Sequence, residues 1–125
     1  MVEVICDTNF LIHLATRKIK NIDFINTEIG QIQFVVPTVV WNELVQISVN
    51  RNHSVKIQDA LKTLKFARNL KNIPMSGTYA DAAIVKHVKG HGGIIGTMDK
   101  ELKSKIKRLG GSIMSFSNDK IVLES

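Results

Sequence analysis

The sequence predicts an α/β fold with a mainly parallel sheet of about five strands and helices on both faces. Short apolar runs rich in β-branched residues alternate with amphipathic segments, which is the pattern of βαβ units. Two of the clearest strands run into an acid, one into Asp7 and the other, through Thr97, into Asp99. A chain of 125 residues, 44% of them hydrophobic, is expected to form one domain, residues 1–125, with its own core.

The first half of the chain is predicted to contain two strands and four helices. The β-branched run that ends at Cys6 indicates a buried strand, in which this cysteine is a small core residue. Pro37 ends the second strand, and Thr38 is predicted to cap the helix that follows. In chain order we expect strand Val2–Cys6, helices Asn9–Ala15 and Ile22–Ile29, strand Gln33–Val36, and helices Thr38–Val49 and Ser54–Leu70.

The second half alternates helices with short apolar strands. A break at Gly77 precedes one helix, and Asp99 opens another, which Gly110 and Gly111 end. Because the carboxyl ends of parallel strands share one edge of a sheet, Asp7 and Asp99 are expected to emerge together, where α/β proteins bind ligands. In chain order we expect helix Tyr79–Lys89, strand Ile94–Gly96, helix Asp99–Leu109, strand Ser112–Phe116 and a fifth strand at Ile121–Leu123.

The charge balance favours an anionic partner. The chain has 17 lysines and arginines against 11 acids, which gives a formal net charge of +6. An excess of cations favours binding to nucleic acid or to an anionic membrane surface, although many basic domains bind neither. Charge therefore narrows the choice of partner and does not decide it.

The N-terminal residues and the cysteine count predict a cytoplasmic protein with no membrane partner. A secretory leader begins with cations that precede a long apolar run, whereas the N-terminal segment here carries an acid, Asp7. No apolar stretch approaches the roughly 20 residues needed to cross a bilayer. Because Cys6 is the single cysteine, the chain has no internal disulfide and no multi-cysteine zinc cluster.

Four acids are candidates for a metal site, and each also has a structural explanation. Asp7 and Asp99 both stand where a helix begins, and aspartate is a favoured N-cap residue. Asp81 follows Thr78 by three residues, which is the spacing of a capping box. Glu43 borders the apolar stripe of its helix, a position that suits a cleft rim and also suits solvent.

The helical position of Asp81 favours the metal-site interpretation. Its neighbours at i+3, i+4 and i+7 are apolar, so its carboxylate is predicted to lie in the buried sector, where an unpaired charge is costly. Four carboxylates brought together would repel one another, and a divalent cation would relieve that repulsion. Since all four candidate ligands are oxygen donors, we expect Mg²⁺ or Mn²⁺ rather than zinc.

An ordered set of segments carries a family resemblance: Cys6–Leu11, Val36–Leu44, Ala80–Ile84 and Gly96–Leu102. In order and spacing they resemble the PIN-domain ribonucleases, and the likeness covers essentially the whole chain. The resemblance implies a three-layer α/β/α fold and a metal-dependent endoribonuclease that hydrolyses RNA with Mg²⁺ or Mn²⁺. Members include ribosomal-RNA-processing nucleases and toxins of toxin–antitoxin pairs, and the stretch Asp99–Lys103 looks more like the processing type.

The resemblance also assigns roles to single residues. It makes the four candidate acids the metal-binding and catalytic residues, and it makes Asn9 and Thr97 polar residues that orient the site. Two positions depart from the family pattern. Relatives often carry a further acid where this chain has Ala82, and many have asparagine where it has Met98. The first departure leaves the binding of a second metal open, and the second bears on the subgroup.

Basic side chains that could contact RNA phosphates lie on the last long helix and around the long helix of the first half. The last helix begins at Asp99, so its basic flank is expected to start beside the proposed site. The alternative is a solvated lysine face. The predicted RNA-binding residues are Lys100, Lys103, Lys107 and Arg108, and a second basic zone consists of Arg51, Lys62, Lys65 and Arg68.

Two other functions remain alternatives. The chain could be a module that keeps the PIN fold and binds RNA or protein without catalysis, which the Ala82 departure supports. It could also be a receiver-like signalling domain with one phosphorylated aspartate, but that function leaves Glu43 and Asp81 unexplained. The expected partner is RNA, and the resemblance is compatible with a homodimer and with an antitoxin protein.

Overall fold

The computed structural model describes residues 1–50 and 54–124 and has one six-stranded sheet with helices on both faces. Among the described helices, none is both long enough and apolar enough to cross a membrane. The strands are β1 (Val2–Cys6), β2 (Ile32–Pro37), β3 (Lys71–Ile73), β4 (Ile94–Gly96), β5 (Ser112–Ser117) and β6 (Lys120–Glu124). The helices are α1 (Thr8–Thr16), α2 (Ile22–Ile29), α3 (Thr38–Ser48), α4 (Ser54–Ala67), α5 (Ala80–His91) and α6 (Lys100–Arg108).

The sheet has a topological switch point beside β1. Its strand order is β3-β2-β1-β4-β5-β6, with β1 to β5 parallel and β6 antiparallel to β5. The chain therefore builds outward from β1 to β3 and then returns to place β4 on the other side of β1. At such a point a crevice opens between the carboxyl ends of the two strands. The register pairs Cys6 with Gly96, so the residues that follow them leave the sheet side by side.

Alternating strand residues divide the core into two layers. Val4, Cys6 and Phe34 belong to a core shared mainly with α1, α2, α3 and α4. Ile5 and Ile95 belong to a second core on the other face of the sheet, with α5 and α6. The result is a three-layer α/β/α arrangement around a mainly parallel sheet, which confirms the predicted fold class.

A close contact fixes α1 against the end of β4. Phe10 is fully buried, and a Cβ atom added to Gly96 would lie 2.6 Å from its ring. The same ring stacks on Phe116, with ring centroids 4.5 Å apart. The backbone N–H of Asp7 donates to the carbonyl oxygen of Gly96 at 2.9 Å. The first residue after β1 is therefore held directly against β4.

The predicted core residue Cys6 lies where the sequence placed it. Cys6 is fully buried, and its thiol donates to the carbonyl oxygen of Val4 at 3.6 Å. Burial, together with the negative charge of Asp7, raises the pKa of this thiol, so Cys6 stays protonated. Trp41 is half-buried and packs against the first core.

Three local predictions are wrong. The sheet contains β3, a strand missed because only Ile73 of its three side chains is even half-buried. Thr38 is not an N-cap residue: Pro37 occupies that position, and the Thr38 hydroxyl donates to the Ile73 carbonyl oxygen at 3.0 Å. This bond ties the start of α3 to the edge strand. Helix α4 ends at Ala67, earlier than expected, before the chain turns into β3.

Candidate active site

The four predicted acids line one cavity at the carboxyl edge of the sheet. Asp7 follows β1, and Asp99 comes shortly after β4, so these two flank the switch point. Glu43 comes from α3, and Asp81 lies in the first turn of α5. The cavity has a volume of about 560 Å³ and is lined by Asp7, Thr8, Asn9, Glu43, Ile47, Asp81, Met98 and Asp99.

Asp7 is the buried acid of the cavity, with only 6% of its surface exposed. Its Oδ1 accepts a hydrogen bond from the backbone N–H of Phe10 at 2.8 Å, so Asp7 caps α1. Its Oδ2 accepts the hydroxyl hydrogen of Thr97. The structural explanation for Asp7 therefore holds, and the same two bonds keep the carboxylate at the wall of the cavity.

Thr97 joins the acids that follow β1 and β4. This buried hydroxyl donates to Asp7, and its oxygen accepts the backbone N–H of Asp99 at 3.1 Å. Asp99 is exposed, and its Oδ1 accepts the backbone N–H of Leu102 at 3.0 Å, which caps α6. One side chain thus sets the position of two acids from neighbouring strands.

Glu43 joins three helices. Its Oε1 accepts the Thr8 hydroxyl of α1 at 2.8 Å, and its Oε2 accepts the backbone N–H of Ala80 at 2.8 Å. The second bond satisfies an N–H group at the start of α5, where the N-cap residue Tyr79 makes no side-chain cap. The capping box considered for Thr78 is therefore wrong, because an acid from another helix supplies the acceptor.

Asp81 lies differently from its predicted position. Ile84 and Val88 on its helix are buried, but Asp81 itself is exposed in the wall of the cavity. Among the described residues, none donates a hydrogen bond to its carboxylate. The prediction that Asp81 is buried is wrong, because its carboxylate is only partly covered, and the cost of burying a carboxylate falls mainly on Asp7.

Mutual repulsion and burial perturb the proton affinity of Asp7. Burial raises the pKa of this carboxyl to about 6, although the hydrogen bonds from Thr97 and Phe10 act to lower it. The negative charges of Asp81 and Asp99 add to the rise. The cavity therefore holds a carboxylate whose ionised form is costly in the metal-free protein.

The same effects act on Asp81. Partial burial and the charges of Asp99 and Glu43 raise the pKa of the Asp81 carboxyl, while the positive charge of Lys105 lowers it. Acids whose charges raise the pKa of Asp7 and of Asp81 stand close enough to these two carboxyls to disfavour their ionised forms. A cation bound among them would oppose these shifts.

The donor chemistry of the cavity fits a hard divalent cation. All four acids offer carboxylate oxygens, the ligands that Mg²⁺ and Mn²⁺ prefer. Asp7, Glu43 and Asp99 already accept hydrogen bonds, but each carboxylate oxygen has two lone pairs and can also bind an ion. Within residues 1–50 and 54–124, no three acid, histidine or cysteine side chains are grouped tightly enough to hold one ion as placed. Metal binding would therefore require the acids to turn toward the ion.

A family model described as PIN like domain matches residues 4–118. The chain belongs to the PIN-like domain family. This match confirms the resemblance carried by the four sequence segments. It begins within β1, extends past the end of β5, and includes every acid that lines the cavity.

Solved structures show the same fold. A structure titled as the PIN domain endonuclease Utp24 superposes with a TM-score of 0.78 at 29% identity, covering 98% of this chain and 90% of that one. A domain of a functionally unknown protein from Methanocaldococcus jannaschii DSM 2661 gives a TM-score of 0.60 at 18% identity, covering 94% of this chain and 92% of that one. No curated protein sequence matches the chain.

Three further positions of this PIN-like domain lie at or beside the cavity. Asn9 is exposed and lines the cavity two residues after Asp7. Met98 is half-buried and also lines it, at the position where the family resemblance leads one to expect asparagine. Ala82 is exposed beside Asp81, at the position where the same resemblance leads one to expect a further acid.

The predicted RNA-binding residues of α6 are only partly available to RNA. Lys103 and Lys107 form salt bridges with Glu124 at 2.9 and 3.0 Å. Arg108 is hydrogen-bonded within α6, which runs away from the carboxyl edge of the sheet. Lys100 is exposed in the first turn, next to the acidic cavity. Among the four, Lys100 is therefore the residue placed to meet a substrate at the site.

The second predicted basic zone lies on α4. Lys62, Lys65 and Arg68 are exposed on or just after this helix, and none of them lines the acidic cavity. Arg51 lies outside the described residues. This zone stays a prediction with no geometric link to the four acids.

One residue beside the site was missed by the sequence analysis, and a second was expected only as part of the basic flank of the last helix. Thr8 holds Glu43, a residue 35 positions away, and no local pattern signals a contact at that separation. Lys105 pairs with Glu101 at 3.5 Å and lies near enough to lower the pKa of Asp81. The sequence placed Lys105 in the basic flank of α6 but did not show that it lies near Asp81.

Proposed function

We propose that this PIN-like domain is a metal-dependent endoribonuclease that hydrolyses RNA phosphodiester bonds with Mg²⁺ or Mn²⁺. The observation that carries the proposal is the convergence of Asp7, Glu43, Asp81 and Asp99, from four parts of the chain, on one cavity. The likeness to the PIN domain endonuclease Utp24 supports endonuclease activity. The net charge of +6 supports a polyanionic substrate.

The proposed metal ligands are these four acids. Asp7 and Asp99 would hold the cation from neighbouring strand ends, and Glu43 and Asp81 from two helices. When bound, the cation would supply an activated water and stabilise negative charge on the phosphate under attack. The acids alone repel phosphate, so they discourage RNA from occupying the cavity until their charge is neutralised.

The remaining cavity residues favour water as the nucleophile. Thr8 is the hydroxyl side chain among the lining residues, and its hydrogen is donated to Glu43. Thr97 is likewise committed to Asp7, and Cys6 is buried and protonated. We therefore assign positioning roles to Thr97 and Asn9 and expect direct hydrolysis without a covalent enzyme intermediate.

The test is cleavage of RNA by the purified chain with Mn²⁺ or Mg²⁺, with and without EDTA. Asp7→Asn and Asp99→Asn should reduce cleavage by at least about 100-fold, since loss of a group that only positions a ligand costs 10- to 100-fold. Asparagine is as good an N-cap as aspartate, so both variants should fold. Asp23→Asn, an exposed acid on α2, is the matched control and should cleave normally. Equal cleavage by all variants would overturn the proposal.

The biological role within this proposal is either ribosomal-RNA processing or the toxin of a toxin–antitoxin pair. The stretch Asp99–Lys103 favours processing. A toxin should arrest growth when expressed alone and recover when the product of a neighbouring reading frame is co-expressed. A processing nuclease should instead leave precursor ribosomal RNA uncut when it is depleted. A homodimer stays a prediction, which light scattering of the purified chain would check.

A second candidate function is a PIN-like module that binds RNA or protein without cleaving. Two observations favour it: Ala82 replaces the acid common in relatives, and the acids are not grouped around one point. This module should bind RNA without divalent cations, and Asp81→Asn should bind more tightly because a repulsive charge is removed. Filter binding in EDTA, combined with the cleavage assay, separates the two functions.

A further inference from the structure

A basic groove adjoins the acidic cavity. It runs between α5 and α6 with a volume of about 540 Å³ and is lined by Tyr79, Asp81, Val85, Lys86, Lys89 and Lys105. We call it the α5–α6 groove. Asp81 lines both this groove and the acidic cavity, so the two adjoin at that side chain. A polymer bound at the acids could therefore extend into the groove.

Three exposed lysines give the groove its charge. Lys86 and Lys89 are three residues apart, so they project from the same side of α5. Neither forms an ion pair with any residue in the described part of the chain. Lys105 faces them from α6 and pairs with Glu101 at 3.5 Å, with both side chains at least half exposed. Such a surface pair is weak and can be exchanged for a phosphate contact.

An exposed aromatic ring stands at the end of the groove beside the acids. Tyr79 precedes α5, is two residues from Asp81, and has 72% of its surface exposed. Its ring stacks on no aromatic side chain among those described. An exposed ring next to lysines is the combination that proteins use to bind single strands, because any base can stack on it.

We propose that RNA on one side of the cleaved phosphate lies in the α5–α6 groove. Its phosphates contact Lys86, Lys89 and Lys105, and one base stacks on Tyr79. This inference rests on the proposed nuclease function. The sequence analysis predicted RNA contacts along α6 as far as its C-terminal end, whereas the groove places the main RNA contact on the side of α6 that faces α5. The rival explanation is a solvated lysine face, with Lys89 stabilising the C-terminal end of α5.

The first test is binding of a fluorescent single-stranded RNA oligonucleotide in EDTA, measured by anisotropy over a range of salt concentrations. The double variant Lys86→Gln with Lys89→Gln should bind at least about 10-fold more weakly, with a salt slope smaller by about 1.4. The matched control is Lys18→Gln with Lys20→Gln, which removes the same charge from exposed residues that line neither the acidic cavity nor the groove and should change affinity less than about 2-fold. Equal losses in the two double variants, or a larger loss in the control, would overturn the groove.

The second test separates stacking from charge. Tyr79→Leu should weaken RNA binding by about 5- to 100-fold and leave the salt slope unchanged, because no phosphate contact is removed. Tyr79→Phe keeps the ring and should bind as the wild-type chain does. If Tyr79→Phe weakens binding as much as Tyr79→Leu, stacking is not the contact, and the base position is overturned.

Cleavage by the same variants distinguishes failure of the groove from failure of the nuclease. With Mn²⁺, the double variant of α5 should raise KM for RNA and leave kcat unchanged, because its lysines do not touch the reacting phosphate. A wild-type chain that binds RNA through the groove and never cleaves it would overturn the nuclease and support the groove. If the wild-type chain cleaves RNA but the two double variants have equal KM values, the nuclease function is supported and the α5–α6 groove is overturned as an RNA-binding site.

Discussion

The two edges of the central sheet treat their carboxylates in opposite ways. At the carboxyl edge, four acids line one cavity, and burial raises the pKa of Asp7 to about 6. At the amino edge, Glu124 ends β6 opposite the start of β5. Hydrogen bonds from Lys103, Lys107 and Ser115 lower its pKa to about 2. The same type of group is disfavoured as an anion at one edge and favoured at the other.

This difference in pKa indicates that the amino edge contributes to the stability of the fold and the carboxyl edge to binding. Glu124 has cations as direct partners, so its charge adds to the stability of the fold. The hydrogen-bonded acids of the cavity have backbone N–H groups and threonines as partners, and Lys105 is the cation that lowers the pKa of Asp81. A group of anions left without counterions costs folding free energy, which indicates an edge kept for binding rather than for stability.

The largest change in the free energy of unfolding should come from removing the buried charge of Asp7 when no divalent cation is present. Because the pKa of Asp7 is higher in the folded chain than its ordinary value of 3.8, the folded state binds this proton more tightly. Stability is therefore lost as the pH rises from about 4 through about 6. Asp7→Asn should raise the free energy of unfolding in EDTA at pH 7.5 by up to about 3 kcal/mol, with no gain below pH 4. Urea unfolding at several pH values measures this difference.

Asp23→Asn serves as the control for that comparison, because it removes an exposed charge outside the cavity. Its effect on unfolding should stay within about 0.5 kcal/mol. If Asp7→Asn instead lowers stability at pH 7.5, the hydrogen bonds accepted by the ionised Asp7 carboxylate outweigh the cost of its burial, and the contrast between the two edges disappears.

A somewhat smaller effect is expected when a divalent cation is added. Mn²⁺ at 100 times its Kd should raise the free energy of unfolding of the wild-type chain by about 2.7 kcal/mol, since the ion binds the folded state alone. Asp99→Asn should lose most of this gain, whereas Glu124→Gln should keep it. Thermal melts with Mn²⁺ and with EDTA supply the measurement. An equal Mn²⁺ effect in Asp99→Asn would show that the ion binds elsewhere.

Variants of Thr97 test whether the site needs its acids to be correctly positioned as well as present. Thr97→Val removes the hydrogen bond to Asp7 and leaves the N–H of Asp99 without its acceptor. We expect RNA cleavage to fall by about 10- to 100-fold, with a rise in the Mn²⁺ concentration needed for half-maximal activity. Thr97→Ser keeps the hydroxyl and should restore both values. A valine variant that is less stable but needs no additional Mn²⁺ would show a purely structural role.

The sequence predicted the switch-point edge well because its signals are local. β1 and β4 are short apolar runs, and Asp7 and Asp99 follow them within three residues, so parallel strands had to bring these acids together. The N-cap roles of both acids were equally visible, because each stands at the first turn of a helix. Capping and the proposed metal binding are compatible, since each uses different lone pairs.

The sequence could not predict features that depend on residues far apart in the chain or on the exact limits of the core. A helical pattern placed Asp81 on the apolar face of α5 but did not show that a cavity opens at this side chain, although Ala80 and Ala83 beside it are buried. β3 has two exposed polar residues, so it carried no strand pattern. The lysines at positions 103 and 107 looked available for RNA because Glu124, their partner, lies on a strand 13 or more residues further along the chain.

The smallest effect is expected at the amino edge, where Glu124 is 29% exposed and its ion pairs are partly screened. Because the pKa of Glu124 is lowered, its contribution to stability is present above about pH 4.5 and is lost as the pH falls toward 2. Glu124→Gln should therefore lower the free energy of unfolding by about 1 kcal/mol or less at pH 7, and the loss should shrink below pH 4.5. Glu101→Gln, which removes the more exposed pair with Lys105, is the control and should cost less. A loss at Glu124 that stays constant from pH 7 to pH 3 would mean that packing, and not charge, holds β6 against α6.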